Sequence, residues 1–413
     1  SSRANDEKCI RSRRCSDTRI FRYCAGRGGP LIFERQELLY AFIGLFTLFN
    51  MLMVVTLSLV WLERKFLGRL QGRVGPTRVG PFGLLQAVAD AIKLLTKEDV
   101  SPGPSAKLLF FSAPILVFVP GFMVWLAIPF SESLVVRDLT LSVFFFVAFS
   151  VLSIVGLVLA GWASASKYAV LGGFRSAAQL VSYEIPIIMS VIAIVILSRS
   201  LNFVEIVNAQ SSIPYGALLP LGLLIFLISG VAEVGRTPFD IYFAESEVVG
   251  GPFVEYSGAH WAVFFLAEYI NTFVIAMLAS LLFLGGWIWP FGDLPIGAGV
   301  ALLMGKTYAV VLVIFWLRAT YPRLRIDQLM SIAWKFLIPL SFAAVIIAAF
   351  QQYYSWPVWT LTLLSIIGIA VPIYIQLRIQ RKPAMAAAKR YSENAILHVG
   401  KKRKLDTEIN EVS

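Results

Sequence analysis

Nine stretches of this chain stay apolar for the length a helix needs to cross a bilayer: roughly 38–62, 108–129, 141–163, 181–198, 218–234, 261–285, 298–317, 336–351 and 357–377. A helical span takes about 20 apolar residues. In hydrocarbon only helices and closed barrels satisfy every backbone N–H and C=O. A barrel would show short alternating segments instead of continuous runs. The expected fold is therefore all-α, a polytopic membrane protein with about nine transmembrane helices. Composition agrees: 58% of residues are hydrophobic and 15% charged, against about 45–50% and about 25% in a soluble globule. The chain divides into a basic polar extension (1–37), a transmembrane domain (38–377) and a basic tail (378–413).

The net charge of +11 invites a nucleic-acid reading until it is located. Residues 63–107 hold eight Lys and Arg, 163–180 two, 235–260 one, 318–335 four, and the tail from 378 nine. The alternate loops hold only Arg137 and Arg199. This alternation is the positive-inside pattern. It places the first set of loops and the C-terminus on the cytoplasmic or matrix face of the membrane. The excess is a topology signal, and no nucleic acid is expected as a partner. The nine Lys and Arg of 1–37 break the pattern, and no apolar core makes that segment a secretory signal.

Redox ligands are scarce. All three cysteines, Cys9, Cys15 and Cys24, lie in the extension without a CxxC pair, and the only histidines are His260 and His398. An iron–sulfur cluster takes about four thiolates, and haem takes an axial ligand. Any electrons this chain handles travel in a cofactor held elsewhere.

The charged loops carry the chemistry. One places Glu233, Asp240, Glu245, Glu247 and Glu255 around a single cation, Arg236, between two membrane-length runs. Carboxylates beside hydrocarbon are costly unless partners, water or a function keep them there. Glu184 opens the fourth run, with Lys167 and Arg175 before it as candidate counter-charges. Lys306 sits inside the seventh run, where Glu268 in the preceding run is its expected partner; a static ion pair and a proton-relay element are both open. The string Gly305-Lys306-Thr307 only imitates a phosphate loop, because Val300 stands where a glycine is required. After the first run, Leu84, Leu85, Val88, Ile92 and Leu95 form one stripe, with Gln86, Asp90, Lys93 and Lys97 opposite. That pattern is an amphipathic helix lying along the membrane surface or an ordinary packed amphipathic helix, and both readings stay open.

Several strings occur together in order: Glu63-Arg64-Lys65, Arg73-Val-Gly-Pro76, Leu85-Gln86-Ala-Val-Ala-Asp90, Arg175-Ser-Ala-Ala-Gln179, Ser182-Tyr-Glu184, Thr237-Pro-Phe-Asp240, Glu255-Tyr-Ser257, Phe264-Phe-Leu-Ala-Glu268-Tyr269 and Asp327-Gln328. Over about 31–350 this closely resembles the H-type membrane component of proton-pumping NADH–quinone oxidoreductase (respiratory complex I), a family also called NADH dehydrogenase subunit 1. The resemblance implies a membrane-arm subunit that lines the quinone chamber and couples quinone reduction to proton pumping through buried carboxylates. Quinone is then the substrate, and FMN and iron–sulfur clusters belong to partner subunits. Other membrane-arm and peripheral-arm subunits, quinone and lipid are the implied partners. Glu184, Glu233, Asp240, Glu245, Glu247, Glu268 and Lys306 become the candidate proton relay. Glu63, Arg64, Arg73, Arg175, Arg236 and Arg318 become the candidate chamber. One departure stands out: Tyr242-Phe243 occupies a place where the family usually has Pro-Glu. Two alternatives stay open, a sibling membrane subunit of an energy-converting hydrogenase and a stand-alone ion-coupled transporter.

Overall fold

The computed structural model describes residues 35–241, 249–292, 294–354, 359–371 and 374. The chain divides into two compact units, Ser1–Phe49 and Asn50–Ser413. Among the described residues every regular element is helical, in agreement with the all-α expectation. Among the described residues seven helices are long and apolar enough to cross a membrane: α1 (Arg35–Leu70), α3 (Lys107–Val124), α4 (Ser142–Ala163), α5 (Lys167–Ser198), α9 (Gly258–Leu282), α10 (Ile296–Thr320) and α11 (Ile326–Tyr354). Two shorter apolar helices, α8 (Pro220–Val234) and α12 (Trp359–Val371), account for the remaining two runs. Between them lie α2 (Gln86–Thr96), α6 (Phe203–Asn208) and α7 (Tyr215–Leu218). The extension and tail expected at 1–37 and 378–413 fall outside the described residues apart from 35–37, which begin α1.

Helix limits depart from the hydropathy runs where polar residues extend a helix. The loop expected over 163–180 is helical from Lys167, so α5 is 32 residues long. Hydropathy ignores that segment, yet Gly172, Gly173 and Ser176 let it pack closely enough to be buried. Likewise α11 begins at Ile326, where the Gln328 side chain accepts from the backbone N–H of Arg325 at 3.3 Å and caps the first turn. The fifth run is broken at Leu219, because Pro220 disfavours helical geometry in the residue before it. Helix α8 starts afresh with that proline in its first turn.

Small residues bring α4 against its neighbours. A Cβ on Gly156 would meet backbone atoms of α3 (Leu116 C, Val117 N) at 2.9 Å, and one on Gly161 would meet Ala169 O of α5 at 2.7 Å. Helix association in lipid relies on such close van der Waals approach, since neighbouring hydrocarbon offers no hydrophobic drive. These contacts set the wall on which the polar interior described below is built. The stripe along α2 differs: Leu84, Leu85, Ile92 and Leu95 are each at least half exposed. Among the described residues that stripe is left largely uncovered.

Candidate functional site

A buried polar cluster forms where α1, α9, α10 and the loop after α8 meet. Glu63, near the end of α1, is 4% exposed. One of its oxygens pairs with Arg318 of α10. The other accepts from Tyr269 Oη at 2.7 Å and lies 3.5 Å from Arg236 Nη1. Arg236 Nε reaches Glu268 Oε1 at 2.9 Å, and its guanidinium stands 4.3 Å over the Tyr269 ring. Two carboxylates thus face two guanidinium groups, with a phenol between them.

The backbone explains how Arg236 gets there. Helix α8 ends at Val234, Gly235 adopts a left-handed φ of 70°, and the Arg236 N–H closes back on Val231 O at 3.2 Å. Glycine is favoured at such a C-terminal turn because no Cβ opposes positive φ. Burial alone disfavours the charge on Arg236, but Glu268 and Glu63 outweigh it and hold the guanidinium above its ordinary range. Gln179 of α5 fastens the same turn, donating to Ala232 O at 2.8 Å and Phe239 O at 2.7 Å. Just beyond Phe239, Asp240 pairs with Arg323 at 3.3 Å.

Beside this cluster lies a cavity of about 60 Å³ walled by Ser150, Ser153, Leu180, Glu233, Phe264, Glu268 and Asn271, among others. Glu268 belongs to both features: it pairs with Arg236 and lines the cavity. Glu233 Oε2 is buried and meets no hydrogen-bond partner among the described residues. Glu184, 7% exposed, accepts from Ser150 Oγ at 2.9 Å. One water takes about 10–15 Å³ of such space, so the cavity fits roughly four.

Comparison with known proteins decides what this arrangement belongs to. Residues 43–349 match the family model described as NADH dehydrogenase. An NADH-quinone oxidoreductase subunit of the H type from Dehalococcoides mccartyi is 46% identical over 304 residues, covering 74% of this chain and 84% of the relative. Its namesake in Geobacillus kaustophilus is 50% identical over 288 residues, covering 70% and 86%. That of Brevibacillus brevis is 45% identical over 296 residues, covering 72% and 88%. The chain belongs to the H-type family of NADH–quinone oxidoreductase subunits. It is a multi-pass membrane component of that oxidoreductase complex.

Within this H-type component, the sequence-predicted residues fall into groups. Glu63, Arg236, Glu268 and Arg318 converge in the buried cluster, Glu233 lines the cavity, and Glu184 reaches it only through the wall residue Ser150. Asp240 is buried but takes its counter-charge from Arg323. Arg64 turns away from the cluster to pair with Asp90 of α2, while Arg73 is exposed and Arg175 is half-buried on α5. Glu245, Glu247, Tyr242 and Phe243 fall outside the described residues.

Two pairings expected from the sequence are corrected. Lys306 does not pair with Glu268, which is engaged by Arg236. Its Nζ donates instead to the backbone carbonyls of Leu284, Gly286 and Trp289 at 2.7, 2.8 and 2.6 Å. Carbonyls beyond the end of α9 lack helical donors, and an ammonium with three N–H groups satisfies them. Nor does Lys167 serve Glu184. The two lie on one continuous helix, 17 positions and therefore about 25 Å apart along its axis. Arg175 is nine positions away on the same helix, about 13 Å, and Ser150 supplies the hydrogen bond.

Tyr269, Ser150, Asn271 and Arg323 were given no site role by sequence reasoning. Tyr269 directly follows Glu268, and that adjacency was its signal. Ser150 and Ser153 recur at a three-residue spacing in an apolar run, which marks one polar helix stripe. Nothing local in the sequence marks Asn271.

Proposed function

We propose that this subunit walls the quinone chamber of a proton-translocating NADH:quinone oxidoreductase and carries the reduction signal inward through carboxylates. The observation behind the reading is the double membership of Glu268. Through Arg236 it belongs to a balanced charge cluster, and through the cavity it faces Glu233 and the Ser150–Glu184 pair. A charge change near Glu63, Arg318 or Arg236 alters how strongly Glu268 is held. Glu268 then exchanges a proton with the cavity, and Glu233 and Glu184 take it onward. Asp240 responds through Arg323. FMN and iron–sulfur clusters act in partner subunits, and this chain holds quinone and moves protons.

The quinone entry is proposed between α1, α2 and the loop beginning at 235. In support, Arg64 pairs with Asp90, Trp61 Nε1 donates to Phe82 O at 3.3 Å, and Val100 N–H donates to Ser257 Oγ at 3.0 Å. These bonds hold α2 beside α1 and α9, with its apolar stripe free for lipid or a quinone tail. Lys/Arg alternation favours these loops and the C-terminus facing the cytoplasm or matrix.

Replacing Glu268 by Gln in the assembled complex tests the coupling. Quinone-reductase turnover and pumping are expected to fall together while the peripheral arm stays bound. Unchanged pumping would refute the reading. Quinone-analogue photolabelling of only helices outside this region, such as α12, would refute the entry route.

A further inference from the structure

Glu184 does not wall the cavity, but Ser150 does, and Ser150 donates to Glu184 Oε1 at 2.9 Å. The second serine on that wall is differently engaged, its hydroxyl donating to the Ser150 carbonyl at 2.8 Å. Ser150 Oγ also lies 3.0 Å from Val147 O, the local bond any helical serine makes. The carboxylate 34 positions away is the contact that local helix geometry does not explain.

We propose that Ser150 is the proton-transfer bridge between the cavity and Glu184, a role that rests on the relay reading above. A hydroxyl is both donor and acceptor. A protonated water in the cavity passes its proton to the Ser150 Oγ lone pair as the original Oγ–H proton leaves for Glu184 Oε1. One O–H bond forms and one breaks at the serine, which ends unchanged. Glu184 gains the proton and the water is neutral again. The return transfer runs the same steps backwards after the hydroxyl rotates. Glu233, whose Oε2 lacks a protein partner among the described residues, and Glu268 on the same wall are the carboxylates that exchange protons with this water.

The test compares Ser150→Thr and Ser150→Val in the assembled complex. The two side chains are nearly equal in volume and differ in the hydroxyl. Protons pumped per NADH and quinone-reductase rate are measured in H2O and D2O. Thr is expected to keep near-native pumping, and Val to slow it roughly tenfold or more. Adding Glu184→Gln to Ser150→Val should cost nothing further. Equal pumping by both variants overturns the bridge. If neither assembles, Ser150→Ala decides: a slowed rate with a larger solvent isotope effect supports the bridge, and native behaviour overturns it. Normal pumping by Glu184→Gln alone would refute the relay reading itself. A disabled Glu184→Gln beside a native Ser150→Val would refute only the serine's part.

Discussion

The Arg236 cluster and the Glu233 cavity stand side by side, share Glu268, and treat charge in opposite ways. In the cluster each carboxylate has a guanidinium within reach, and Glu63 also has Tyr269. At the cavity Glu233 Oε2 has no protein donor among the described residues, and Glu184 has a neutral hydroxyl. A buried pair stays charged, since removing one member strands the other. A buried carboxylate without a cation changes protonation at low cost. In the proposed relay the cluster therefore fixes charge and the cavity lets it move, with Glu268 at the junction.

The sharpest break of this comparison is Arg236→Leu. It strands Glu268, while Glu63 keeps Arg318 and Tyr269; a broken buried pair costs on the order of 3–5 kcal/mol. Assembled complex on native gels should fall severely. Glu233→Gln should do the reverse, with assembly intact and pumping lost. If Glu233→Gln cost as much assembly as Arg236→Leu, the contrast would vanish. Lys306→Met comes next. It leaves three carbonyls without a donor, at about 1–3 kcal/mol for a stranded polar group. Thermal stability should drop while the quinone KM stays put, whereas a proton-relay lysine would lower pumping instead.

The smallest effect concerns the outer tether. Burial of Asp90 works against its charge, but Arg64 and Lys93 prevail and hold it below the usual carboxylate range. With its folded pKa depressed, the stabilisation is full at neutral pH. It disappears only as pH falls through that lowered value, below the ordinary value of about 3.9. Exchange protection of α2, corrected for the intrinsic pH dependence of amide exchange, should thus be flat from about pH 8 to 5, and Asp90→Asn should lower it modestly. A change centred near about pH 6, well above any ordinary carboxylate value, would contradict the assignment to Asp90.

Much of the fold was legible because a membrane leaves so few options. All nine apolar runs correspond to helices among the described residues, although hydropathy missed the amphipathic first half of α5 and the start of α11. The site was legible in parts. Glu63, Arg236, Glu268 and Arg318 announce themselves as charges next to hydrocarbon. Their pairing does not, because it depends on which helices adjoin. Lys306 shows why: a partner of opposite sign was the obvious expectation, and backbone carbonyls freed at the end of α9 took its place. Ser150 was least visible, since a serine in an apolar run gains meaning only from the carboxylate across the helix interface.

The most direct test of the account is the number of protons pumped per NADH by an assembled complex carrying Glu184→Gln and Glu233→Gln together. The account predicts loss of pumping and turnover together, with flavin and iron–sulfur subunits still bound. Full pumping by that double variant would contradict it.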